Sequence, residues 1–225
     1  MGGSFKRIAM RNSCFPIFLS LAQIFAVAAQ AAPPEKVEVV FDLSRNGMTL
    51  ATITQRLEHD GRNYQLTETW KGRGVFALKG DATRTSRGVV AADGLRPRQF
   101  EDKRTGRDAL QASFDPASKA PTLQQQDQLS LAWTFAFAPP TKLVGVSVAD
   151  GKHVSQYAYQ PAGKEKVKTP AGEFEALKFV KKRDKPEDKA TEIWLSTDRQ
   201  IPVRVLIVDK EGTRLDQVAA KISAQ

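Results

Sequence analysis

The sequence predicts a mainly β fold: an antiparallel sandwich or barrel of about a dozen short strands, with one helix buried against a concave sheet surface. Three observations carry this prediction. From residue 37 onward, apolar and polar residues mostly alternate, which is the period of a β-strand. Turn residues interrupt the alternation about every 8 to 12 residues. One apolar segment, 127–138, departs from this pattern and predicts the helix.

The alternating segments of the first half are predicted to form a meander of hairpins. Their bounds are 37–43, 48–57, 64–70, 81–90, 95–102 and 108–115. Glycine-containing reversals lie at 59–62, 92–94 and 105–106. An Asp-Gly pair supplies the positive φ that a two-residue hairpin loop requires, so these reversals are expected to be tight turns.

The alternation resumes after a polar stretch, 116–126, which is predicted to be a connection. The strands predicted for the second half are 143–148, 153–159, 165–169, 173–182, 190–196, 201–208 and 213–222. No stretch rich in Pro, Gly or Ser divides the chain, and no internal repeat is present. Residues 32–225 are therefore predicted to form a single β-rich domain.

Residues 1–31 are predicted to be a secretory signal peptide. Lys6, Arg7 and Arg11 supply positive charge, 15–29 is a short apolar core, and Ala-Gln-Ala at 29–31 offers small residues for cleavage. Met10 is an alternative start, since beginning there gives a more ordinary signal length and still leaves Arg11 as the positive flank. The prediction is an exported, periplasmic protein that is soluble after cleavage near Ala31.

The alternative reading of this segment is a retained membrane anchor. Pro16, Ser20 and Gln23 interrupt an apolar stretch that is already shorter than the roughly 20 residues needed to span a bilayer, which favours cleavage. Cys14, the single cysteine, lies inside the predicted signal. The mature chain is then expected to form no disulfide and no thiolate metal site.

Segment 127–138 is compatible with two secondary structures. Its apolar residues fall at helical spacing from Leu129 to Phe137, with Asp127 as a candidate N-cap and Pro139-Pro140 as a stop. Large residues also alternate with small ones, which is the pattern of a strand. The cap, the stop and the helix-forming Leu and Ala residues favour a helix. Because it would be apolar nearly all round, such a helix is expected to be buried.

The sequence nominates no catalytic residue, no metal site and no cofactor, so we do not expect an enzyme. His59 and His153 each lie beside a predicted turn, where a solvated side chain is the ordinary interpretation. Glu173 and Glu175 share one face of a predicted strand, opposite Phe174, and that face is expected to be solvated. Nucleophile-elbow, phosphate-loop and His-x-x-x-His motifs are absent from the sequence.

The formal net charge is +9, and the basic residues concentrate on two predicted hairpins, 96–107 and 164–189. The plainer interpretation is a solvated surface on which Lys and Arg protect the strand edges. The alternative is attraction to an anionic envelope surface, through lipid headgroups or cell-envelope polymers. Export and the lack of interleaved aromatic residues argue against nucleic acid as a partner.

Several strings together resemble an exported bacterial family, domain of unknown function 3108. They are Gly-Leu-Arg-Pro at 94–97, Gln-Asp-Gln-Leu-Ser at 126–130, Thr-Pro-Ala-Gly-Glu-Phe at 169–174, and Ile-Trp-Leu at 193–195 followed by Pro-Val. Their order and spacing carry the resemblance, which covers nearly all of the mature chain. The family has no established activity, so it implies no catalytic residue.

That family is in turn distantly similar to the lipoprotein carriers LolA and LolB. The similarity implies a strongly curved antiparallel sheet, an unclosed or half barrel, around a helix, with an apolar interior that holds acyl chains. Segment 127–138 would then plug or line its mouth. The chain departs from these carriers in showing one clear helix, which leaves less material for a lid.

The resulting hypothesis is a periplasmic binding or carrier module for a lipophilic ligand such as an acyl chain, free or attached to a lipoprotein. The aromatic residues nominated to line its cavity are Trp133, Phe135, Phe137, Trp70 and Trp194. Ordinary core packing is the plainer interpretation of each of them. The alternative function is a non-enzymatic envelope assembly or interaction protein with a solid core and basic docking hairpins. The sequence leaves the oligomeric state open.

Overall fold

A continuous 13-stranded sheet accounts for nearly all of the secondary structure in the computed structural model, which describes residues 1–3, 32–114 and 124–224. The predicted signal peptide lies almost wholly outside the described residues. The strands are β1 Lys36–Arg45, β2 Met48–His59, β3 Asn63–Gly72, β4 Ala82–Ala91, β5 Gly94–Arg104, β6 Leu110–Ser113, β7 Gln124–Asp127, β8 Val144–Ala149, β9 Val154–Thr169, β10 Gly172–Lys181, β11 Ala190–Ser196, β12 Pro202–Val208 and β13 Arg214–Ala224. One α-helix, α1 Ser130–Phe137, and one 3₁₀ helix, Gly74–Lys79, complete the described elements.

The spatial order of the strands is β6-β5-β4-β3-β2-β1-β13-β12-β11-β10-β9-β8-β7. Strands that follow one another in sequence therefore lie side by side, as a hairpin meander requires, except β6 and β7, which are the two edge strands of the sheet. The first and last strands, β1 and β13, pair with each other near the middle of the sheet. The predictions of a mainly β fold and of strands joined by tight turns are confirmed.

The alternation predicted from the sequence defines the inner face of the curved sheet. Along β1, for example, Val37, Val39, Phe41 and Leu43 are buried and the residues between them are half-buried. The inner face wraps around α1, whose side chains reach strands on opposite sides of the sheet: Trp133 bonds to a residue of β2, and Phe135 packs against residues of β9 and β10. The prediction of a buried helix within 127–138 is confirmed.

The sheet curls until its two edges come close, which makes a nearly closed barrel with one seam. Side chains of β7 donate across the seam to backbone oxygens of β5 and of the turn before it: Gln126 Nε2 lies 2.8 Å from Leu95 O in β5, and Gln124 Nε2 lies 2.6 Å from Asp93 O in the β4–β5 turn. Near the same seam, a Cβ on Gly151 would lie 2.8 Å from the Cβ of Leu110. Side-chain bonds and close packing thus join the edges in place of a backbone ladder.

The prediction that 116–126 is wholly a connection is wrong at its end, where Gln124–Asp127 forms β7. This strand pairs parallel with β8, whereas every other strand pair among the described residues is antiparallel. A parallel pair needs a crossover connection, and α1 provides it by passing through the barrel interior. The four residues of β7 are polar and show no alternation, so the sequence carried no strand signal for them.

A second correction concerns the strands predicted at 153–159 and 165–169, which are one long strand, β9. The register with β10 shifts between Leu177 and Phe179, opposite Pro161 to Lys164. An irregularity of this kind accommodates proline, which has no N–H for the ladder, and Gly163, whose φ is +92°. Pro and Gly mark a bulge here and not a break.

Helix and sheet divide the barrel into two halves. We call the end of the barrel at which β1, β3 and β5 finish the upper end, and the opposite end of the barrel the lower end. The helix occupies the lower half: Phe137 packs edge-on against His59, the last residue of β2, with ring centres 4.9 Å apart. Thr134 lies so close to Gly94, the first residue of β5, that a Cβ there would be 2.6 Å from Thr134 Cγ2. The 3₁₀ helix borders the upper half.

Candidate functional site

An open cleft of about 360 Å³ lies at the upper end, between the ends of β1 to β5 and the 3₁₀ helix. This volume falls within the range of about 300 to 1,000 Å³ found for small-molecule sites. Its apolar lining comes from Leu43, Leu50, Ala51, Trp70, Phe76 and Ala82. We call it the upper cleft.

Small residues make room for the upper cleft. Ala51 pairs with Gly72 across β2 and β3, and Trp70 pairs with Ala82 across β3 and β4. Gly72 is also required by the fold, because a Cβ on it would lie 2.2 Å from the carbonyl oxygen of Phe76. Only glycine lets the 3₁₀ helix fold back over the strand end in this way.

Arginines dominate the rim of the upper cleft. Arg45, Arg104 and Arg107 line it, with Asp81 as the acidic residue of the same lining. Arg104 is held by Asp102, with Nη2 2.8 Å from Oδ2. Among the described residues, neither Arg45 nor Arg107 has an acidic partner within 4 Å. The rim therefore carries positive charge that the described part of the protein does not neutralise.

A row of polar side chains crosses the inner face directly below the cleft. Gln55, Glu68, Arg84 and Asp102 are paired in register from β2 to β5. Gln55 Nε2 donates to Glu68 Oε2 at 2.7 Å, Arg84 Nη1 to Glu68 Oε1 at 3.1 Å, and Arg84 Nε to Asp102 Oδ2 at 3.1 Å. We call this the polar row. The carboxylates of Glu68 and Asp102 are almost fully buried. Each is paired with an arginine, because a buried charge is costly unless it has a partner.

Electrostatics within the polar row favour the charged form of Asp102. Burial acts to raise the pKa of Asp102, but the hydrogen bonds from Arg104 and the charge and hydrogen bond of Arg84 outweigh it and hold that pKa below its usual value. Arg84 also lies over the Trp70 ring, 5.1 Å from the ring centre. The row thus positions two of the groups that border the cleft, the Arg104 guanidinium and the Trp70 indole.

Two tryptophans connect the polar row to its surroundings. Trp70 Nε1 donates to Glu68 Oε1 at 2.6 Å from the cleft side. Trp133 Nε1 donates to Gln55 Oε1 at 2.9 Å from the helix side. The row therefore separates the filled lower half of the barrel from the open cleft above it.

A second buried network surrounds Asp127, at the end of β7. Ser86 Oγ donates to Asp127 Oδ2 at 2.6 Å and lies 2.8 Å from the Tyr64 hydroxyl. Burial raises the pKa of Asp127 to about 6, although the hydrogen bonds from Ser86, Ser130 and Leu129 act against that rise. Burial also raises the pKa of Tyr64. This network borders no described cavity and fixes the start of α1.

The structure separates the five aromatic residues nominated from the sequence. Trp70 lines the upper cleft. Trp133 is fully buried between helix and sheet, and Phe137 is half-buried against His59. Phe135 is buried and borders a different depression of about 530 Å³ at the lower end, beside Pro139 and Pro140.

Trp194 lies on the outer face of the sheet. The ring is covered from two sides by Lys178 and Arg204, which pair with Trp194 on the two adjacent strands. Lys178 Nζ lies 4.7 Å and Arg204 Cζ 4.8 Å from the ring centre. Phe179, next to Lys178 in sequence, faces Phe135 of the helix. Because side chains alternate along a strand, Trp194 faces away from the interior. Of the five nominated residues, the upper cleft contains Trp70.

Sequence reasoning missed most of the residues that form the upper cleft. Arg104 and Arg107 belong to the basic hairpin 96–107, whose plainer interpretation was a solvated surface. Arg45 is the last residue of β1 and Phe76 lies in the 3₁₀ helix, and neither has a local sequence pattern that marks it as a cleft residue. The pairing of Glu68 with Arg84 depends on strand register, which a single sequence does not reveal.

The part of the chain that the structure describes lacks two other kinds of site. It holds no group of three or more His, Cys, Asp or Glu side chains placed to bind a metal ion. Within the same residues, no helix combines the length and the apolar character needed to cross a bilayer.

Comparison with known proteins identifies the family. The model of a family described as "Protein of unknown function (DUF3108)" matches residues 40–218, which is most of the chain. The chain belongs to this family. The predicted resemblance is thereby confirmed, and DUF3108 brings no assigned activity with it. The search of curated proteins found no match.

Solved structures of similar fold have low sequence identity to this DUF3108 chain. A β-barrel-like protein of domain family DUF1849 from Brucella abortus is 9% identical, with 87% of this chain and 99% of that chain covered and a TM-score of 0.49. A "putative lipoprotein" from Parabacteroides distasonis is 12% identical, with 86% and 100% covered and a TM-score of 0.41. A chain of the MucA/MucB complex of Pseudomonas aeruginosa is 17% identical, with 84% and 53% covered and a TM-score of 0.37.

Proposed function

We propose that this protein is an exported, non-enzymatic binding or carrier module for a lipophilic ligand such as an acyl chain, held in the upper cleft. The observation that carries the proposal is the division of the barrel interior. The lower half is filled by α1, whereas the upper half opens into a cleft lined by Leu43, Leu50, Trp70 and Phe76. Burial of an acyl chain contributes about 0.8 kcal/mol per CH₂, so a short apolar cleft supports useful affinity.

The state of the buried polar groups supports a binding role over an enzymatic one. Glu68 and Asp102 are paired with arginines, and Asp127 accepts hydrogen bonds from backbone N–H groups. A general base needs an unengaged lone pair within hydrogen-bond reach of a substrate. These carboxylates are instead committed to holding strands and helix in place.

Contact quenching of Trp70 by a brominated fatty acid tests the proposal. The chain has three tryptophans, and Trp70 is the one that lines the upper cleft. We expect the acid to quench wild-type fluorescence in a saturable manner and to leave the remaining fluorescence of Trp70→Phe unquenched. Trp194→Phe, which alters the outer face, is the matched control and should quench like wild type.

Lipid extraction complements the quenching experiment. Protein purified from the periplasmic fraction of its native host should yield a co-purifying lipid by mass spectrometry. Clean extracts together with no quenching of Trp70 would contradict the carrier function.

A second candidate, an envelope interaction protein, is supported by a basic surface depression of about 540 Å³. It is lined by Lys181, Lys182, Arg183, Lys189 and Lys210, together with Asp184 and Asp188. Burial and the charge of Lys189 lower the pKa of Lys181, as expected where cations crowd together. Under this candidate, Lys181→Glu with Lys189→Glu abolishes binding to an anionic envelope polymer and leaves quenching of Trp70 unchanged.

A further inference from the structure

We propose that the ligand of the upper cleft is an anionic single-chain amphiphile, whose carboxylate or phosphate headgroup is bound by Arg45, Arg104 and Arg107. This inference rests on the proposed function and specifies its ligand class. The upper cleft combines an apolar interior with a rim on which Arg45 and Arg107 have no acidic partner within 4 Å among the described residues.

The balance of charge at the rim of the upper cleft favours an anionic headgroup. Below the cleft, the carboxylates of Glu68 and Asp102 are matched by the guanidinium groups of Arg84 and Arg104, so the polar row and Arg104 together contribute no net charge. Arg45 and Arg107 lie beyond that balance, against Asp81 alone among the acidic residues of the lining. An anion at the rim would therefore be attracted, and a cation repelled, by the residues that are described.

The orientation of the Arg104 guanidinium leaves N–H donors available for a headgroup. Arg104 presents Nε and Nη2 to Asp102, which leaves Nη1 without a partner among the described residues. A guanidinium has five N–H donors in a planar fork, so the bond to Asp102 fixes its plane while donors remain available. Asp102 is itself buried and bonded to Arg84, which makes the support rigid.

The β5–β6 turn sets the position of Arg107 relative to Arg104. Both lie at the β5–β6 turn, where Arg107 N donates to Arg104 O at 3.1 Å. The same turn is tied to the β3–β4 connection, because Thr105 N and Thr105 Oγ1 each lie 3.1 Å from Asp81 O. The backbone that carries the Arg104 and Arg107 side chains is therefore fixed by hydrogen bonds within the turn and to Asp81.

The cleft as a whole brings apolar side chains and the three arginines of the rim into one lining. Arg45 ends β1, four strands from β5 in the sheet order, and the apolar side chains of Leu43, Trp70 and Phe76 belong to the same cleft lining as Arg45, Arg104 and Arg107. A chain placed on those apolar side chains would leave its headgroup at the rim. Charge-assisted hydrogen bonds from arginine to carboxylate or phosphate are about twice as strong as neutral ones.

The experiment compares four probes of the wild-type protein by quenching of Trp70 or by displacement of the brominated acid. They are a fatty acid, a lysophosphatidic acid, a fatty alcohol of the same chain length, and inorganic phosphate. We expect both anionic amphiphiles to bind about tenfold more tightly than the alcohol, with the difference shrinking in high salt. Inorganic phosphate should not displace the brominated acid.

The variant Arg45→Gln with Arg107→Gln should remove the preference for the anionic amphiphiles and leave affinity for the alcohol unchanged. The matched control is Arg62→Gln with Arg98→Gln, which removes the same charge at two exposed arginines outside the cleft lining. It should retain the preference. Unchanged binding of the alcohol also shows that the double variant is folded.

Each other outcome overturns a distinct statement. Equal affinity of acid and alcohol for wild type overturns the headgroup inference and leaves the acyl-chain function standing. Displacement by inorganic phosphate alone identifies a free-anion site and overturns the amphiphile. Failure of every chain-bearing probe to bind overturns the proposed function itself.

Discussion

Asp127 shows how one residue can serve both strand and helix. The sequence predicts it as the helix N-cap, whereas the residue that precedes α1 is Leu129, which makes no side-chain cap. Asp127 nevertheless bonds the first free N–H groups, with Oδ1 2.9 Å from Leu129 N and 2.7 Å from Ser130 N. Its carboxylate thus satisfies donors that a helix start leaves unpaired, from the last position of β7.

We predict that Asp127 makes stability depend on pH. Its pKa is raised from 3.8 to about 6 in the folded protein, so the folded state retains the proton more strongly than the unfolded chain. The stabilisation that the proton on Asp127 gives the folded state is fully present below pH 3.8. It is lost as pH rises through about 6, which lowers the free energy of unfolding by roughly 3 kcal/mol. Denaturant unfolding of wild type and Asp127→Asn across this window measures it.

In Asp127→Asn the amide cannot ionise, and it can still accept from the backbone and donate to Ser86 Oγ. The variant should therefore gain stability relative to wild type as pH rises from about 4 to about 7. Parallel stability curves for the two proteins would contradict the prediction. Asp102, whose pKa is lowered, is present in both proteins, so its opposite pH dependence cancels in the comparison.

At the scale of elements, α1 fills the lower half of the barrel and also forms the crossover between β7 and β8. Its central residue is Trp133, which is fully buried and bonded to Gln55 of the polar row. The 3₁₀ helix plays the corresponding part above, folded over Gly72 at the edge of the upper cleft. One element therefore closes the interior and the other borders its opening.

We predict that Trp133→Ala lowers the free energy of unfolding by about 3 to 5 kcal/mol, because it leaves a cavity in a packed core. Trp133→Phe should cost about 1 to 3 kcal/mol, since it leaves the Gln55 oxygen buried without its donor. Urea unfolding measures both. Trp133→Phe should still bind the brominated acid with quenching of Trp70, and loss of that binding without loss of stability would place Trp133 in the ligand site instead.

At the scale of the whole molecule, residues 32–114 and 124–224 are organised by one sheet. Its N-terminal half, β1 to β6, and its C-terminal half, β7 to β13, are joined in the middle by the pairing of β1 with β13. The helix contacts strands from both halves. Neither half has an independent core, because α1 supplies apolar side chains to both.

We therefore predict that residues 32–225 unfold as a single domain. Far-ultraviolet circular dichroism, which follows the sheet, and tryptophan fluorescence should give coincident transitions. Trp70 lies in the N-terminal half and Trp194 in the C-terminal half, so the fluorescence of Trp194→Phe follows the N-terminal half and that of Trp70→Phe the C-terminal half, each together with Trp133 of the helix. Two separate transitions would contradict the single-domain prediction.

The sequence by itself determined the local structure of most of this protein. Alternation placed strands such as Ala190–Ser196, the Asp and Gly residues placed the turns, and the apolar segment between Asp127 and Pro139 placed the helix. These features depend on the chemistry of residues close together in the chain. A period of two, a positive φ and a missing N–H act locally, so they can be recognised without knowledge of neighbours.

Only the tertiary structure decided which side chains meet. Ile193, Trp194 and Leu195 are all buried, so the sequence could not show that the tryptophan lies outside the barrel under Lys178 and Arg204. The upper cleft and its arginine rim likewise arise from strand register and from how the 3₁₀ helix folds back. Register and curvature are set by pairing between distant segments, and a one-residue shift would move every such side chain to the opposite face.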